Sequence, residues 1–205
     1  MMPSNFPKLR FYPDALRFIK THLDMQFDDV RTMLKLPRSK RGLTGGCNFA
    51  STAMLCNLIS GISVILYRPL EKMRRGDRFK NLLKDFYPWA SHEDKEERSK
   101  IIYDLIRNPL AHSLGVLYEN SEPLHLAKGF LTEWQLRKIE QSESKPEWLP
   151  LTVTALAHTK IVDVRSLYWG VFHMLRRLTE DRGQMETADL FIRQGISIKK
   201  SNRRK

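Results

Sequence analysis

Apolar residues recur at three- and four-residue steps from Pro13 to Leu36, with Leu16, Ile19, Leu23, Phe27, Val30 and Leu34 on one face. That spacing predicts an amphipathic helix, which Pro37 stops. A basic link, Arg38-Ser39-Lys40-Arg41-Gly42, leads into a stretch of different character: from Gly42 to Tyr67 there is no charge over 26 residues. The stretch is long enough to span a bilayer. Its content argues otherwise, because Asn48, Ser51, Thr52, Asn57, Ser60 and Ser63 are polar and each would need a partner in lipid. A central helix from about Gly46 to Lys72, buried in a bundle, explains the missing charge.

Beyond it, Asp77 is placed to cap a short helix that runs through Phe86 and ends at Pro88. Ser91 or Asp94 opens the next helix, which carries apolar Ile101, Ile102, Leu105 and Ile106. The acids Glu93, Asp94, Glu96 and Glu97 suit its positive N-terminal end. Near-adjacent on a helix, they point in different directions and make no metal cage.

Val116 to Lys128 reads as an irregular hairpin around Asn120-Ser121-Glu122-Pro123. Thr132 with Gln135 resembles a capping box for a helix to Gln141. Ser142 to Pro150 is a loop, and Leu151 to Leu156 has strand propensity. Asp163 to Glu180 is a strong helix, with Leu167, Val171, Leu175 and Leu178 in register. Trp169 and Phe172 fall at the same spacing and are expected to pack rather than to stack on bases. Thr187 to Gln194 reads as a last short helix, followed by a basic, disordered tail at 199–205.

Helix dominates and no βαβ alternation occurs. The expected fold is all-α, a helical bundle with a small irregular, β-containing insertion and short C-terminal helices. One domain over 1–198 is expected, its core about 13–115 plus 160–182, with an appendage at about 116–159.

Charge narrows the function classes. The chain of 205 residues carries 35 Lys and Arg against 23 Asp and Glu, a net charge of +12. Such a surplus favours a polyanionic partner. Arg68, Lys72, Arg74, Arg75, Arg78, Lys80 and Lys84 crowd one stretch and are the candidate RNA-binding residues. The two cysteines, Cys47 and Cys56, are nine positions apart and would lie on opposite sides of one helix. They are too few for a structural zinc site and poorly placed for a disulfide, which fits a reduced, cytoplasmic protein. No Walker loop, dinucleotide-binding glycine motif, nucleophile elbow or zinc-protease motif occurs.

One segment carries candidate chemistry: Arg107-Asn108-Pro109-Leu110-Ala111-His112, after the apolar run Ile101 to Ile106. Spacing alone is weak, since Arg17 to His22 repeats it in a plain amphipathic helix. The second segment differs at Asn108-Pro109. Proline lacks an N–H and clashes with the carbonyl four residues back, so this pair predicts a helix that breaks and restarts with Asn108 as its cap. The new N-terminus would offer amides to an anion, beside Arg107 and His112.

These six residues resemble the R-N-x-x-x-H motif of the HEPN superfamily, small all-α domains, many of them metal-independent endoribonucleases. Members occur as toxins, abortive-infection proteins and the nuclease parts of RNA-targeting CRISPR effectors. The close match covers the motif, and a looser one covers roughly Pro13 to Gly115. Pro109 departs from the family's continuous helix. The resemblance implies a homodimer with a composite active site, RNA as substrate, and no metal or cofactor. It makes His112 the general acid or base, Arg107 the clamp on the scissile phosphate, and Asn108 an orienting group. It implies cleavage by 2′-hydroxyl attack in a defence or toxin role, with room for an antitoxin or sensor partner. Two other readings use the same charge: a catalytically silent HEPN-like RNA-binding or scaffold protein, and a basic membrane-associated protein.

Overall fold

The computed structural model describes residues 12–36, 47–67, 73–89, 94–112, 124–127, 152–154 and 160–202. Helix α1 is one run in three parts: Pro13–Phe18, a π-helical turn at Ile19–Leu23, and Asp24–Lys35. Its predicted apolar face is the buried one, with Ile19, Leu23, Phe27, Val30 and Leu34 in the core. Helix α2, Asn48–Tyr67, lies at the centre of the bundle and packs against α1 and helices near both ends of the chain. By length and composition α2 is apolar enough to cross a membrane, and half of it is buried inside the fold. Of its polar residues Asn48, Ser51, Thr52 and Ser63 are buried and Asn57 is exposed; Thr52 and Ser60 donate to carbonyls one turn back, and Asn48 donates to the Leu126 carbonyl at 2.9 Å.

Helix α3, Arg75–Phe86, differs from expectation at its start. Arg74, not Asp77, occupies the cap position, and no side chain caps the helix. Asp77 sits within the first turn, where it pairs with Lys80 at 3.4 Å. Helix α4 comprises Lys95–Ile101, a π-helical segment Ile102–Arg107, and Asn108–His112. Asp94 caps it as predicted, accepting from the amides of Glu96 and Glu97.

A small sheet follows: β1 Leu124–Ala127, β2 Thr152–Thr154 and β3 Lys160–Asp163, in the order β1-β3-β2. β1 runs parallel to β3 and β2 antiparallel to it. The strand expected at Leu151 to Leu156 is thus β2. β1 takes β3 as its partner, and the rest of the predicted hairpin, 116–118, lies outside the described residues. So do the Thr132 helix and the Ser142 loop. β3 was not foreseen. Leu126 and Val162 are buried with the helical core, so the sheet joins it.

Asp163 ends β3 and caps α5, Val164–Glu180, accepting from the amides of Arg165 and Ser166. Trp169 is buried and Phe172 packs on the core, as predicted. Helix α6 corrects the expectation of a short Thr187–Gln194 helix and a disordered tail: it spans Arg182–Asn202, 21 residues. Asp181 accepts from the Gln184 amide at 3.0 Å, which starts the helix ahead of Gly183. Among the described residues the architecture is mostly helical, with this one small sheet on its flank.

Candidate functional site

Three helices meet around a cleft of about 380 Å³ lined by Ser60, Ser63, Val64, Arg75, Arg78, Phe79, Tyr103 and Arg107. The lining follows helical spacing. Ser60, Ser63 and Val64 lie one turn apart on α2, Arg75 and Arg78 on α3, and Tyr103 and Arg107 on α4. Three guanidinium groups face one cavity, and no carboxylate is among its described lining residues.

The motif helix does not break at Asn108-Pro109. Asn108 has helical dihedrals (φ −65°, ψ −49°), and its N–H donates to the Tyr103 carbonyl five residues back. The wider π turn accommodates the missing proline N–H, and π turns of this kind often mark functional sites. The expected fresh helix N-terminus, with amides open to an anion, is therefore absent from this place.

Arg107 is held by two contacts. Its Nη1 donates to Asn108 Oδ1 at 2.9 Å, and its guanidinium carbon lies 5.6 Å from the centre of the Tyr103 ring. Lys80 Nζ lies over the same ring at 5.8 Å. Gly76 makes room for that ring: a Cβ there would sit 2.9 Å from the Tyr103 hydroxyl end, too close without a shift. The Arg107 charge is also felt at Cys56. Burial pushes the Cys56 thiol up to about 12, against a smaller opposing pull from the Arg107 charge.

Arg78 and Arg75 contrast with the other cations of α3. Arg78 is half-buried, its Nε is sealed from solvent, and that atom has no hydrogen-bond partner. Neither arginine forms an ion pair among the described residues. Lys80 is engaged by Asp77, and Lys84 by Glu96 at 3.0 Å, which fastens α3 to α4. Arg74 and Arg75 are both exposed at the start of α3, and of the two only Arg75 lines the cleft. Arg68 and Lys72 lie outside the described residues.

His112 is exposed on the last turn of α4, where a basic group suits the helix dipole. It does not line the cleft. Five residues along an α-helix turn the side chain by roughly 140° and move it by about 7.5 Å, so Arg107 and His112 of one chain diverge. Asn108 touches Arg107 and is half-buried.

Thus Arg75, Arg78 and Arg107 come together, Asn108 steadies Arg107, and His112 stands apart. Sequence reasoning missed Tyr103, Ser60 and Ser63. Tyr103, one turn before Arg107, was open to inference from spacing; the serines register only once α2 is set beside α3. Among the described residues no group of three His, Cys, Asp or Glu gathers as a metal site would. The chain matches no known family model, no characterised protein and no solved structure.

Proposed function

We propose that the protein is a metal-independent endoribonuclease of HEPN type, acting as a homodimer in a defence or toxin role, with RNA phosphate bound in the arginine-lined cleft. One observation carries this: Arg75, Arg78 and Arg107 converge from two helices on a cavity whose described lining holds no carboxylate. Guanidinium forks match phosphate oxygens bidentately. An acid-free cluster of three has the composition of a phosphate site rather than of a structural ion-pair network.

The chemistry follows from the residue types. One His112 imidazole takes the proton from an RNA 2′-hydroxyl, and the freed oxygen bonds to phosphorus. The bond from phosphorus to the 5′-oxygen breaks, and the partner copy's imidazolium gives that oxygen a proton. A 2′,3′-cyclic phosphate and a 5′-hydroxyl result. Arg107 stabilises the charge that builds on the non-bridging oxygens, and Asn108 orients Arg107 through the bond between them. A second copy supplies the histidine that one chain cannot bring to its own Arg107. DNA, lacking the 2′-hydroxyl, binds without being cut.

The test is cleavage of a defined RNA in EDTA. Wild type is expected to release products ending in a 2′,3′-cyclic phosphate, and Arg107→Ala and His112→Ala are each expected to stop cleavage with the fold intact. Unchanged cleavage by His112→Ala would sink the mechanism. A second reading, a silent RNA-binding scaffold, is favoured by the exposure of His112 outside the cleft. It predicts salt-sensitive RNA binding and no products under any condition.

A further inference from the structure

The cleft carries more positive charge than the middle of a strand needs. Each internal RNA phosphodiester brings a single negative charge, whereas three guanidiniums face this cavity with no carboxylate among the described lining. A phosphate monoester carries about −1.5 to −2 near pH 7 and presents three strong acceptor oxygens. Those oxygens match forks arriving from two helices better than a diester does, because a diester has only two free oxygens.

The aromatic wall points the same way. Lys80 and Arg107 already lie over the Tyr103 ring, so that ring is engaged by cations rather than open as a platform for a base. The cavity therefore reads phosphate and not sequence. At about 380 Å³ it also falls in the range of small-ligand sites, roughly 300–1,000 Å³.

We infer that this cleft binds the terminal phosphate monoester of an RNA strand in preference to an internal diester. This rests on the cleft being the RNA-phosphate site proposed above. The monoester can come from a 5′ or a 3′ end, and the chemistry of recognition is the same for both.

The test uses the full chain and three 2′-O-methyl decamers of one sequence, labelled internally, which lack the attacking hydroxyl and stay intact. One bears a 5′-phosphate, one a 3′-phosphate, and one neither. Affinities are read by fluorescence anisotropy at pH 7.5, with inorganic phosphate as competitor. The expected result is tenfold or tighter binding of one phosphorylated decamer, loss of that preference in Arg78→Met and Arg75→Met, and relief by inorganic phosphate. Whichever end is preferred names the source. Equal, salt-sensitive binding of all three decamers overturns the inference and leaves the nuclease reading standing. A preference that survives both substitutions overturns it too, because the monoester would then be held elsewhere. Binding of none removes both. Should either variant fail to fold, the wild-type comparison together with the other variant decides the matter.

Discussion

Replacing Arg78 by Met separates a binding residue from a structural one, because the two roles predict opposite signs. Arg78 keeps no ion pair among the described residues, its Nε is buried without a partner, and Arg75 stands one turn away on the same helix. Methionine retains an unbranched stem and nearly the same helix propensity. The substitution removes a like-charge pair at i,i+3, a gain of about 0.2–0.5 kcal/mol. It also removes a buried unsatisfied donor, whose cost is about 1–3 kcal/mol. Lost contacts of the guanidinium body with the cleft wall take back part of this. The net expectation is a gain of roughly 0.5–2 kcal/mol in stability, a rise in Tm of about 1–8 °C for a chain of this size. Binding moves the other way. Losing a charge-assisted hydrogen bond costs about 1.5–3 kcal/mol, which weakens RNA affinity by roughly 10- to 150-fold. The assays are thermal unfolding by circular dichroism and anisotropy titration with a single-stranded RNA. A variant that melts earlier by more than about 3 °C, roughly 1 kcal/mol, yet binds RNA as wild type does, would show that Arg78 holds the fold and not a ligand.

Gly170→Ala should destabilise by about 1–3 kcal/mol in urea unfolding despite the usual helix gain of about 1 kcal/mol, because a Cβ there runs into the buried Tyr87 ring. Asp189→Ala should cost about 1–3 kcal/mol in the same assay. Its carboxylate accepts from the Asp14 and Ala15 amides at 3.0 Å and pairs with Arg193 at 2.8 Å, clasping α6 to the start of α1; an unchanged urea midpoint would refute the clasp. Iodoacetamide at pH 8 should label exposed Cys47 and spare Cys56 until the protein unfolds, since burial holds the Cys56 thiol up at about 12 and the thiolate is the reactive form. Two thiols reacting at equal rates in the native protein would contradict that burial.

The helices were legible where one local signal decided them. The apolar stripe from Ile19 to Leu34 set α1, and the periodic run expected from Asp163 to Glu180 is α5, with Asp163 as its cap and Val164 its first residue. Local rules failed where distant packing overrode them. Asn108-Pro109 carries every mark of a helix start, yet a π turn carries the helix through it. Two glycines lie within helices. Gly76 lies inside α3 because the Tyr103 ring needs its space, and Gly183 is bridged by the cap at Asp181. β3 is four residues long; it pairs with nearby β2 and with β1 more than thirty positions away, and its place at the centre of the sheet depends on that distant partner. Arg107 was visible from its motif, and Arg75 and Arg78 from their charge. Which cations of that basic run stay unpaired was not visible, because Asp77 and Glu96 engage Lys80 and Lys84 only once α3 and α4 are folded.

The salt dependence of RNA binding tests the arginine cleft most directly. For single strands, log K falls by about 0.7 per phosphate neutralised for each unit of log salt. Wild type should bind single-stranded RNA with a steep slope, and a chain carrying Arg75→Met, Arg78→Met and Arg107→Met should bind more weakly with a slope shallower by roughly 1–2. Equal affinity and equal slope for the two proteins would place the RNA contacts somewhere other than this cleft.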